Sequence, residues 1–480
     1  MNDSQDLADC TATELLALFK TGEASPVEAH AAVMRRIEVF NPILKAFCHI
    51  AGEEPARSAI KSEAAWSGHR KSGAPVRALE GVPTSIKDII LTQGMPTLRG
   101  SHTIDANQAW EVDAPATARL KEAGAVILGK TSTPEFGCKG ETNSPRTGIT
   151  RNPWNTAKTP GGSSGGTAAA VAAGMGPLSV GTDGAGSVRI PAAFCGNFGL
   201  KPSFGRVPAY PLSPFGSVAH LGPHTMSVQD SAMMMNVITQ PDARDWTSLP
   251  YDGVDYLKDL ELGIKGLRIA FSPTLGYVKN VHPEVATAVK QAAMDLEALG
   301  AIVESADPGF EDPLEITTGL WFLGAATVWN SLTSDQQKVT DPDFRAEAEM
   351  GNQLSAQDIQ KLNIRRGALG SQMRQWMKSA ANPQGYDLLI SPAVSIPAFD
   401  AKPAGHTPMN AQAMLGWTPF SYPFNLTQQP ACSIPCGLTS DGLPIGLQIV
   451  GPMFGDALVL RAARAYEKLR PILRPSLNNL

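Results

Sequence analysis

The chain has 480 residues, of which 43% are hydrophobic and 18% charged, and this composition is typical of a globular protein with a large core. A net charge of −5 provides no broad cationic field, which argues against a nucleic-acid partner or an anionic membrane surface. The 45 glycines and 38 prolines stay below the proportion found in disordered chains, so we expect them at turns.

The N-terminus lacks the basic and apolar regions of a secretory signal, and we expect a cytoplasmic protein. The 6 cysteines contain no C-x-x-C pair, which favours reduced thiols over disulfides. The 8 histidines form no H-E-x-x-H motif, and Gly222-Pro223 separates His220 from His224, so no helix presents both on one face. We therefore expect neither a metal nor a cofactor.

Two helices are predicted at the start of the chain. Thr11-x-x-Glu14 and Ser25-Pro26-x-Glu28 are capping boxes, and the second carries Pro at the first helical position. We expect the second helix to end at Asn41-Pro42, because proline disrupts a helix interior.

Helix followed by strand recurs along the rest of the chain. An amphipathic helix from Pro115 stops at Gly124 and precedes the apolar strand Ala125–Leu128; the same order returns at Pro283–Leu299 and Ala301–Val303. Further strand-like runs are Leu267–Phe271, Asp387–Ile390 and Ile445–Val450. The pattern predicts the α/β class, with a mixed β-sheet core in a single large domain and helices covering both faces.

The segment Gly124–Thr131 satisfies the written P-loop pattern G-x-x-x-x-G-K-[ST]. The residues between its glycines are Ala-Val-Ile-Leu, which favour a buried strand rather than a phosphate-binding turn. We therefore interpret the segment as a strand.

The segment Gly162–Gly166 contains G-x-S-x-G, the nucleophile-elbow pattern. Ser164 would be the nucleophile, and the candidate downstream bases are His220, His224, His282 and His406. An elbow follows a strand, whereas Arg151–Pro160 reads as a loop. The favoured interpretation is a Gly-rich loop that opens the Ala-rich helix Thr167–Ala173.

A third constellation is more specific because separate segments agree. They are Gly81-Val-Pro-Thr-Ser-Ile-Lys87-Asp88-Ile89, Thr159-Pro-Gly-Gly-Ser163-Ser164-Gly-Gly-Thr167 and Val180-Gly-Thr-Asp183-Gly-Ala-Gly-Ser187-Val-Arg189-Ile-Pro191. This combination resembles the amidase signature family, whose members share a Lys, a Gly-Gly-Ser-Ser-Gly-Gly loop and a second Ser in a Thr-Asp-x-Gly-Gly-Ser-x-Arg segment. The likeness weakens after about Asp230 and resumes near Gly442–Val450.

The residues alone do not choose a nucleophile among Ser163, Ser164 and Ser187. The resemblance implies that Ser187 is the acyl-forming nucleophile, and that Ser163, after a cis peptide bond, relays its proton to Lys87. Burial would lower the pKa of a lysine and allow it to act as a neutral base. A lysine that reaches to the surface from its strand is the alternative interpretation.

The residues that precede Ser187 are small enough for their backbone amides to converge on one point. We therefore predict an oxyanion hole at Gly184, Ala185 and Gly186. The family usually has Gly where this chain has Ala185, and alanine is unfavourable there only if the position requires a positive φ. Asp183 and Arg189 are interpreted as a structural ion pair, and the departure at His224-Thr-Met226 is unexplained.

The predicted substrate is a small-molecule linear amide with an apolar or aryl acyl group. Cys138 and Trp321 are candidate substrate contacts, and the aromatic residues around Trp321, together with Trp417, Phe420, Tyr422 and Phe424, form either an acyl pocket or ordinary core. One alternative is the glutamine-hydrolysing A subunit of a tRNA-dependent amidotransferase. Another is a binding module that has lost the chemistry, and a homodimer is left open.

We divide the chain into four parts on composition. Residues 1–70 form an N-terminal helical segment that packs on the core, and 71–240 form the amidase-signature catalytic core. Residues 241–400 form a mixed α/β part with a helical cap over the substrate site, and 401–480 complete the sheet. The helical cap is expected within Asp307–Gln384.

Overall fold

A mixed sheet of 11 strands runs through the protein. The computed structural model describes residues 6–405 and 415–479, and within these residues helices flank the sheet on both faces. The predicted α/β class and mixed sheet are confirmed. The sheet takes strands from all four predicted parts of the chain, so these parts belong to one large domain.

The helices and strands are numbered in chain order. The α-helices are α1 Ala12–Thr21, α2 Pro26–Leu44, α3 Glu54–Ser72, α4 Pro115–Glu122, α5 Gly165–Ala172, α6 Arg189–Cys195, α7 Val228–Ile238, α8 Pro283–Ala298, α9 Leu314–Asn330, α10 Ser334–Lys338, α11 Pro342–Gly351, α12 Ala356–Trp376, α13 Pro423–Leu426 and α14 Asp456–Leu469. The strands are β1 Phe47–Ile50, β2 Pro83–Lys87, β3 Val126–Thr131, β4 Asn143–Ser144, β5 Gly148–Ile149, β6 Leu178–Asp183, β7 Phe198–Lys201, β8 His220–Thr225, β9 Arg268–Phe271, β10 Ile302–Ser305, β11 Leu388–Pro392, β12 Ala431–Leu438 and β13 Pro444–Val450.

The strand order is β1-β3-β2-β6-β8-β7-β12-β13-β11-β9-β10, and β4 and β5 form a separate hairpin. β2 is parallel to both of its neighbours, β3 and β6, and β9 is parallel to β10 and β11. The strands between these two parallel sets pair antiparallel. β2 therefore lies inside the sheet, and both of its faces are buried.

Three sequence interpretations of local structure are confirmed. The P-loop-like segment begins at the turn after α4 and forms the fully buried strand β3, so its amides belong to the sheet. Residues 151–160 form a loop without helix or regular strand. The Gly-rich segment opens α5, whose small side chains are all buried.

The predicted end of the second helix was wrong. Helix α2 continues past Pro42 to Leu44, and Lys45 in the left-handed conformation ends it by donating to the carbonyl of Asn41. Pro42 lies in the last turn, where only one intrahelical hydrogen bond is lost and the ring's φ is already helical. The Asn41 side chain then accepts from the Phe47 N–H at 2.7 Å and ties the turn to β1.

The predicted helical region after Asp307 is confirmed by α9 to α12. Helices α9 and α11 pack together through an apolar cluster that includes Ala325 and Phe344. One residue of α9, Trp321, reaches the end of β6. Helix α9, with α11 packed against it, therefore lies beside the end of the sheet at which β2 and β6 end.

Candidate active site

Lys87 is the last residue of β2 and is completely buried. Its Nζ lies 2.7 Å from Ser163 Oγ, 2.9 Å from Ser164 Oγ and 2.7 Å from Thr182 Oγ1. Burial lowers the pKa of Lys87 well below its ordinary value. The alternative of a lysine that reaches the surface is therefore wrong, and the amine is held among hydroxyl groups in a form that favours the neutral base.

The Gly-rich loop brings two hydroxyl groups to this amine, and the peptide bond between Gly162 and Ser163 is cis. The Ser164 hydroxyl is already engaged, because it donates to the Thr182 carbonyl at 3.0 Å and accepts from the Thr182 N–H at 3.2 Å. Among the residues that the structure describes, Ser163 Oγ has no partner other than Lys87 Nζ. A neutral lysine has one lone pair, and of the two serine protons only that of Ser163 is free to point at it.

The segment that carries Ser187 lies between β6 and α6. The Asp183 carboxylate, at the end of β6, accepts the backbone N–H of Gly186 at 2.8 Å and of Val188 at 3.1 Å. The carbonyl of Ser187 accepts the N–H of Ser164 at 3.2 Å. The loop is therefore fixed by the strand before it and by the Gly-rich loop beside it.

Arg189 holds the Asp183 carboxylate from the opposite side, with Nη2 at 3.0 Å from Oδ1 and Nε at 3.0 Å from Oδ2. Both side chains are fully buried, which confirms the predicted structural ion pair. Burial opposes ionisation of Asp183, but the Arg189 guanidinium outweighs this effect and holds the pKa of Asp183 below its ordinary value.

The remaining Arg189 donors join this pair to the C-terminal part of the chain. Nη1 donates to the Ser421 carbonyl at 2.8 Å and to Gln448 Oε1 at 2.7 Å, and Nη2 donates to Asn425 Oδ1 at 2.6 Å. Since every charge in the network has hydrogen-bonding partners, the network can stay buried and rigid. The C-terminal segments therefore brace the Ser187 loop from behind.

The predicted oxyanion donors differ in what they already bind. The Gly186 N–H is committed to Asp183, so it is not free for a ligand and this part of the prediction requires correction. Within the described part of the chain, the N–H groups of Gly184, Ala185 and Ser187 donate to no protein acceptor. These three amides therefore have N–H groups available to a ligand.

Ala185 fits its position without backbone strain. It is absent from the described residues with positive φ, whereas Gly186 has φ +124°. A Cβ at Gly186 would lie 2.3 Å from Ser421 Oγ. The glycine requirement in this loop therefore falls on Gly186, and the alanine at 185 packs against Trp321 and Tyr422.

A cavity of about 120 Å³ opens beside the serines, and Ser163, Thr182, Gly184 and Ser187 form one side of it. Its remaining wall is mainly apolar. The other lining residues are Ile89, Ile90, Arg99, Ala114, Phe136, Gly137, Ala209, Tyr210, Pro211, Leu212, Ser213, Pro214, Phe215, Ala219, His220, Leu221 and Trp321. The cavity can therefore present an apolar group to the serines.

Trp321 is the predicted substrate contact that the structure places in the cavity wall. Its ring lies against Gly184, where a Cβ would come within 2.5 Å of Cζ3, and stacks on Phe215 with centroids 4.0 Å apart. Its indole N–H donates to the Cys138 carbonyl at 2.8 Å. Trp321 is therefore fixed on three sides.

Cys138 does not line the cavity, which corrects the expectation that it touches substrate. Its side chain is fully buried in an apolar cluster with Phe136 and Phe344, and burial raises the pKa of its thiol well above the ordinary value. Its contribution to the site is the carbonyl that holds Trp321. The four other aromatic residues proposed for the pocket, Trp417, Phe420, Tyr422 and Phe424, lie in the core instead.

Sequence reasoning missed most of the cavity wall. Residues 209–215 close one side of it, and Arg99 and His220 also contribute. The only sequence signal for this loop is the run of Pro, Ser and aromatic residues after the signature segments, which has no periodicity to indicate burial. Thr182, which contacts Lys87, lay within the quoted motif without an assigned role.

None of the candidate histidine bases in the described part of the chain hydrogen-bonds to Ser164 Oγ, whose partners are Lys87 and Thr182. His220 and His224 lie on β8 rather than on a helix, His282 precedes α8, and His406 lies outside the described residues. Over residues 6–405 and 415–479, no group of three or more His, Cys, Asp or Glu side chains is arranged to hold a metal ion. The same residues include no helix with the length and hydropathy needed to cross a membrane.

Comparisons with known proteins agree with this arrangement. A family model described as Amidase matches residues 28–460. An acylamidase from Rhodococcus erythropolis is 36% identical over 474 residues, which cover 97% of each chain. The A subunit of the glutamyl-tRNA(Gln) amidotransferase from Myxococcus xanthus is 36% identical over 492 residues, which cover 98% of this chain and 99% of the relative.

A solved structure extends the similarity to the whole fold. A bacterial aryl acylamidase of the amidase signature enzymes superposes with a TM-score of 0.87 at 29% identity, and the match covers 96% of each chain. The residues that the family model matches, 28–460, include the buried lysine strand, the Gly-rich loop and the Ser187 loop. On this family match and these relatives, the chain belongs to the amidase family of enzymes that hydrolyse carbon–nitrogen bonds.

Proposed function

We propose that this amidase hydrolyses a linear carboxamide with an apolar or aryl acyl group to a carboxylate and ammonia or an amine. The observation that carries the proposal is the contact between Lys87 Nζ and Ser163 Oγ at 2.7 Å, beside a cavity that Ser163 shares with Ser187. The largely apolar wall of this cavity supports the choice of acyl group.

In the first step, Ser187 Oγ attacks the amide carbon. The Ser187 proton passes to Ser163 Oγ while the Ser163 proton passes to the lone pair of neutral Lys87. The carbonyl oxygen becomes an oxyanion, which the free N–H groups of Gly184, Ala185 and Ser187 stabilise. Removal of one such donor typically costs about 3 kcal/mol of transition-state stabilisation.

In the second step, the tetrahedral intermediate collapses. Protonated Lys87 returns a proton through Ser163 to the departing nitrogen, and the C–N bond breaks to leave an acyl ester on Ser187. Water then enters, gives its proton to Lys87 through Ser163 and attacks the ester. Collapse of this second intermediate returns the proton to Ser187 Oγ and restores the starting state. The product leaves as a carboxylic acid, which gives its proton to solvent to become the carboxylate.

The geometry supports Ser163 rather than Ser164 as the relay. Ser164 holds its proton in a hydrogen bond with the Thr182 carbonyl, and it is not among the residues that line the cavity. A relay must contact the base with a free proton and must also face the cavity. Ser163 does both, since it contacts Lys87 and lines the cavity. This distinction depends on hydrogen-bonding partners that the sequence does not reveal.

The test is release of ammonia or amine from a panel of aliphatic amides, aryl amides, anilides and glutamine. Ser187→Ala is measured beside the wild type, since a single hydroxyl in this loop carries little packing. We expect wild-type turnover on the apolar members of the panel and its loss in Ser187→Ala, with an unchanged melting temperature. Turnover that persists in a folded Ser187→Ala would contradict the proposal.

A second candidate is the glutamine-hydrolysing A subunit of a tRNA-dependent amidotransferase. The Myxococcus xanthus relative with that name is as similar in identity as the acylamidase. The cavity wall favours the first candidate, because among the described residues that line it there is no carboxylate to hold the ammonium group of free glutamine. If the protein hydrolyses none of the apolar amides, but hydrolyses glutamine after partner subunits are added, the second candidate would be favoured.

A further inference from the structure

Arg99 carries the only formal charge in the described part of the cavity wall. The other side chains that line the cavity are apolar or uncharged hydroxyl-bearing groups, apart from His220. Burial lowers the pKa of His220 well below its ordinary value, so this imidazole is neutral. An arginine retains its charge even when burial lowers its pKa, as it does for Arg99. The apolar cavity therefore contains one fixed positive charge.

The backbone around Arg99 is held from two sides. The Arg99 N–H donates to the Asp88 carbonyl at 2.9 Å, and the Arg99 carbonyl accepts the Phe136 N–H at 2.8 Å. The Asp88 carboxylate accepts the neighbouring N–H groups of Leu98 at 3.0 Å and Gly100 at 3.1 Å. Arg99 itself has φ +53°, a region that L residues rarely adopt. The turn that presents this arginine is thus built on the residue that follows Lys87.

The Arg99 guanidinium lacks an acceptor in the described part of the chain. No hydrogen bond or ion pair of its side chain is present there, and both oxygens of the nearby Asp88 carboxylate are directed to backbone N–H groups. Two other buried or half-buried arginines, Arg366 and Arg189, do have acceptors for their side chains. Arg366 donates to the Leu426 carbonyl at 2.9 Å and to Ser217 Oγ at 2.8 Å, and Arg189 is held by Asp183. Because a guanidinium has five N–H donors, Arg99 has donors available for a ligand.

We propose that Arg99 binds an anionic group of the substrate, so that the preferred amides carry a carboxylate away from the scissile bond. The inference rests on the proposed function and narrows its substrate class to amides with an apolar body and one negative charge. A guanidinium matches a carboxylate in geometry as well as in charge. The absence of a carboxylate in the described cavity wall distinguishes these substrates from zwitterionic amino-acid amides.

The experiment compares matched neutral and anionic amides. Glutaramate and pentanamide differ by a charge on the acyl side, and 4-(butanoylamino)benzoate and butyranilide differ by a charge on the amine side. For each pair, the charge ratio is kcat/KM of the anionic amide divided by kcat/KM of the neutral one. We expect a wild-type ratio above one in at least one pair.

The variants test whether Arg99 is the source of this ratio. Arg99→Gln should lower the ratio about 10- to 100-fold, the effect of losing a hydrogen bond to a charged group. Arg99→Lys keeps the charge and should retain more of the ratio than Arg99→Gln. Arg374→Gln is the matched control, since Arg374 is exposed on α12, and should keep the wild-type ratio. A wild-type ratio of one or less in both pairs, or an unchanged ratio in Arg99→Gln, would overturn the proposal.

A binding measurement separates failure of this inference from failure of the proposed function. Calorimetric titration of the wild type and Arg99→Gln with pentanoate and with pentan-1-ol needs no turnover. We expect the wild type to bind pentanoate more tightly than the alcohol, and Arg99→Gln to lose this difference. If no amide shows Ser187-dependent hydrolysis, the proposed function fails while the titration still decides the role of Arg99. If hydrolysis depends on Ser187 but neither rates nor binding depend on charge, only the role of Arg99 fails.

Discussion

Lys87 Nζ contacts Ser163 Oγ and Ser164 Oγ at nearly equal distances, 2.7 and 2.9 Å, yet the two hydroxyls have different surroundings. Ser164 also bonds the backbone N–H and carbonyl of Thr182, whereas Ser163 faces the cavity. A relay must exchange protons with a group in the cavity as well as with the base. The Ser163 hydroxyl is thus placed for proton transfer, whereas the Ser164 hydroxyl has a structural role.

Ser163→Ala and Ser164→Ala should therefore fail in different ways. Ser163→Ala is expected to lower kcat about 10²- to 10⁴-fold, the range for loss of a general acid–base step, with little change in stability. Ser164→Ala should retain more activity but lose about 1–3 kcal/mol of stability, because it leaves buried backbone groups of Thr182 unpaired. Steady-state kinetics and urea unfolding of both variants give the comparison. Equal kinetic losses with equal stability would contradict the assignment.

The pH dependence should follow the protonation of Lys87. Only the neutral amine can accept a proton, so activity is low below the pKa of Lys87 and rises above it. Since burial lowers this pKa well below 10.5, the rise in kcat/KM should have its midpoint below that value. The pH–rate profile with a substrate that does not itself titrate measures it. A profile in which kcat/KM falls as the pH rises, or rises with a midpoint at or above 10.5, would count against Lys87 as the base.

Lys130 provides a control for the pH profile. It is also buried, and burial lowers its pKa to about 8. Its Nζ donates to the Ile90 carbonyl, Thr92 and Thr97 rather than to the serines. If circular dichroism shows a native fold, Lys130→Gln should keep the midpoint of the wild-type pH–rate profile. A shifted midpoint would show that the profile reports the titration of Lys130 and not of Lys87.

The two small residues before Ser187 should differ in how strongly they respond to exchange of Ala and Gly. Ala185→Gly should change activity little and lower stability by about 0.5–1 kcal/mol through backbone entropy, because Ala185 has no positive φ. Gly186→Ala forces a side chain into φ +124° and within 2.3 Å of Ser421 Oγ. It should therefore be the more damaging change, in both kcat and melting temperature. Improved turnover in Ala185→Gly would instead indicate that the alanine weakens the oxyanion hole.

Asp183→Asn should destabilise the fold strongly. Removing one partner of a buried ion pair typically costs about 3–5 kcal/mol, and the amide also loses an acceptor for the Ser187 loop. Asp335→Asn, in the exposed pair with Lys338, is the control and should leave urea unfolding nearly unchanged. An Asp183→Asn protein as stable as that control would show that the buried pair does not hold the loop.

The same pair determines how stability depends on acidity. The pKa of Asp183 is lower in the folded protein than the ordinary 3.8. Its ionised form therefore stabilises the fold at neutral pH, and this contribution is lost only as the pH falls below 3.8. Unfolding measured between pH 7 and lower values in wild type and Asp183→Asn should converge toward strong acid.

The sequence by itself was sufficient for features that depend on local patterns. Capping boxes placed α1 and α2, the apolar run before Lys130 indicated β3, and three short motifs carried the resemblance that the family match confirms. These features could be predicted because helix caps, strand periodicity and glycine turns act between neighbouring residues. The continuation of α2 past Pro42 was not predicted, since a proline in the last turn removes only one intrahelical hydrogen bond and need not end the helix there.

Only the tertiary structure decided which groups around the site are free. Ser163 and Ser164 are adjacent in sequence. Their different roles follow from Thr182 on β6, whose backbone N–H and carbonyl bond to the Ser164 hydroxyl. Gly186 is excluded as a donor by Asp183, and the Cys138 side chain lies in the core. Among residues 6–405 and 415–479, Arg99 has no side-chain acceptor, and it lines a cavity that residues 209–215 close on one side. These outcomes depend on contacts between segments distant in the chain. Hydrogen-bond satisfaction and burial are properties of the packed fold, and a linear motif does not contain them.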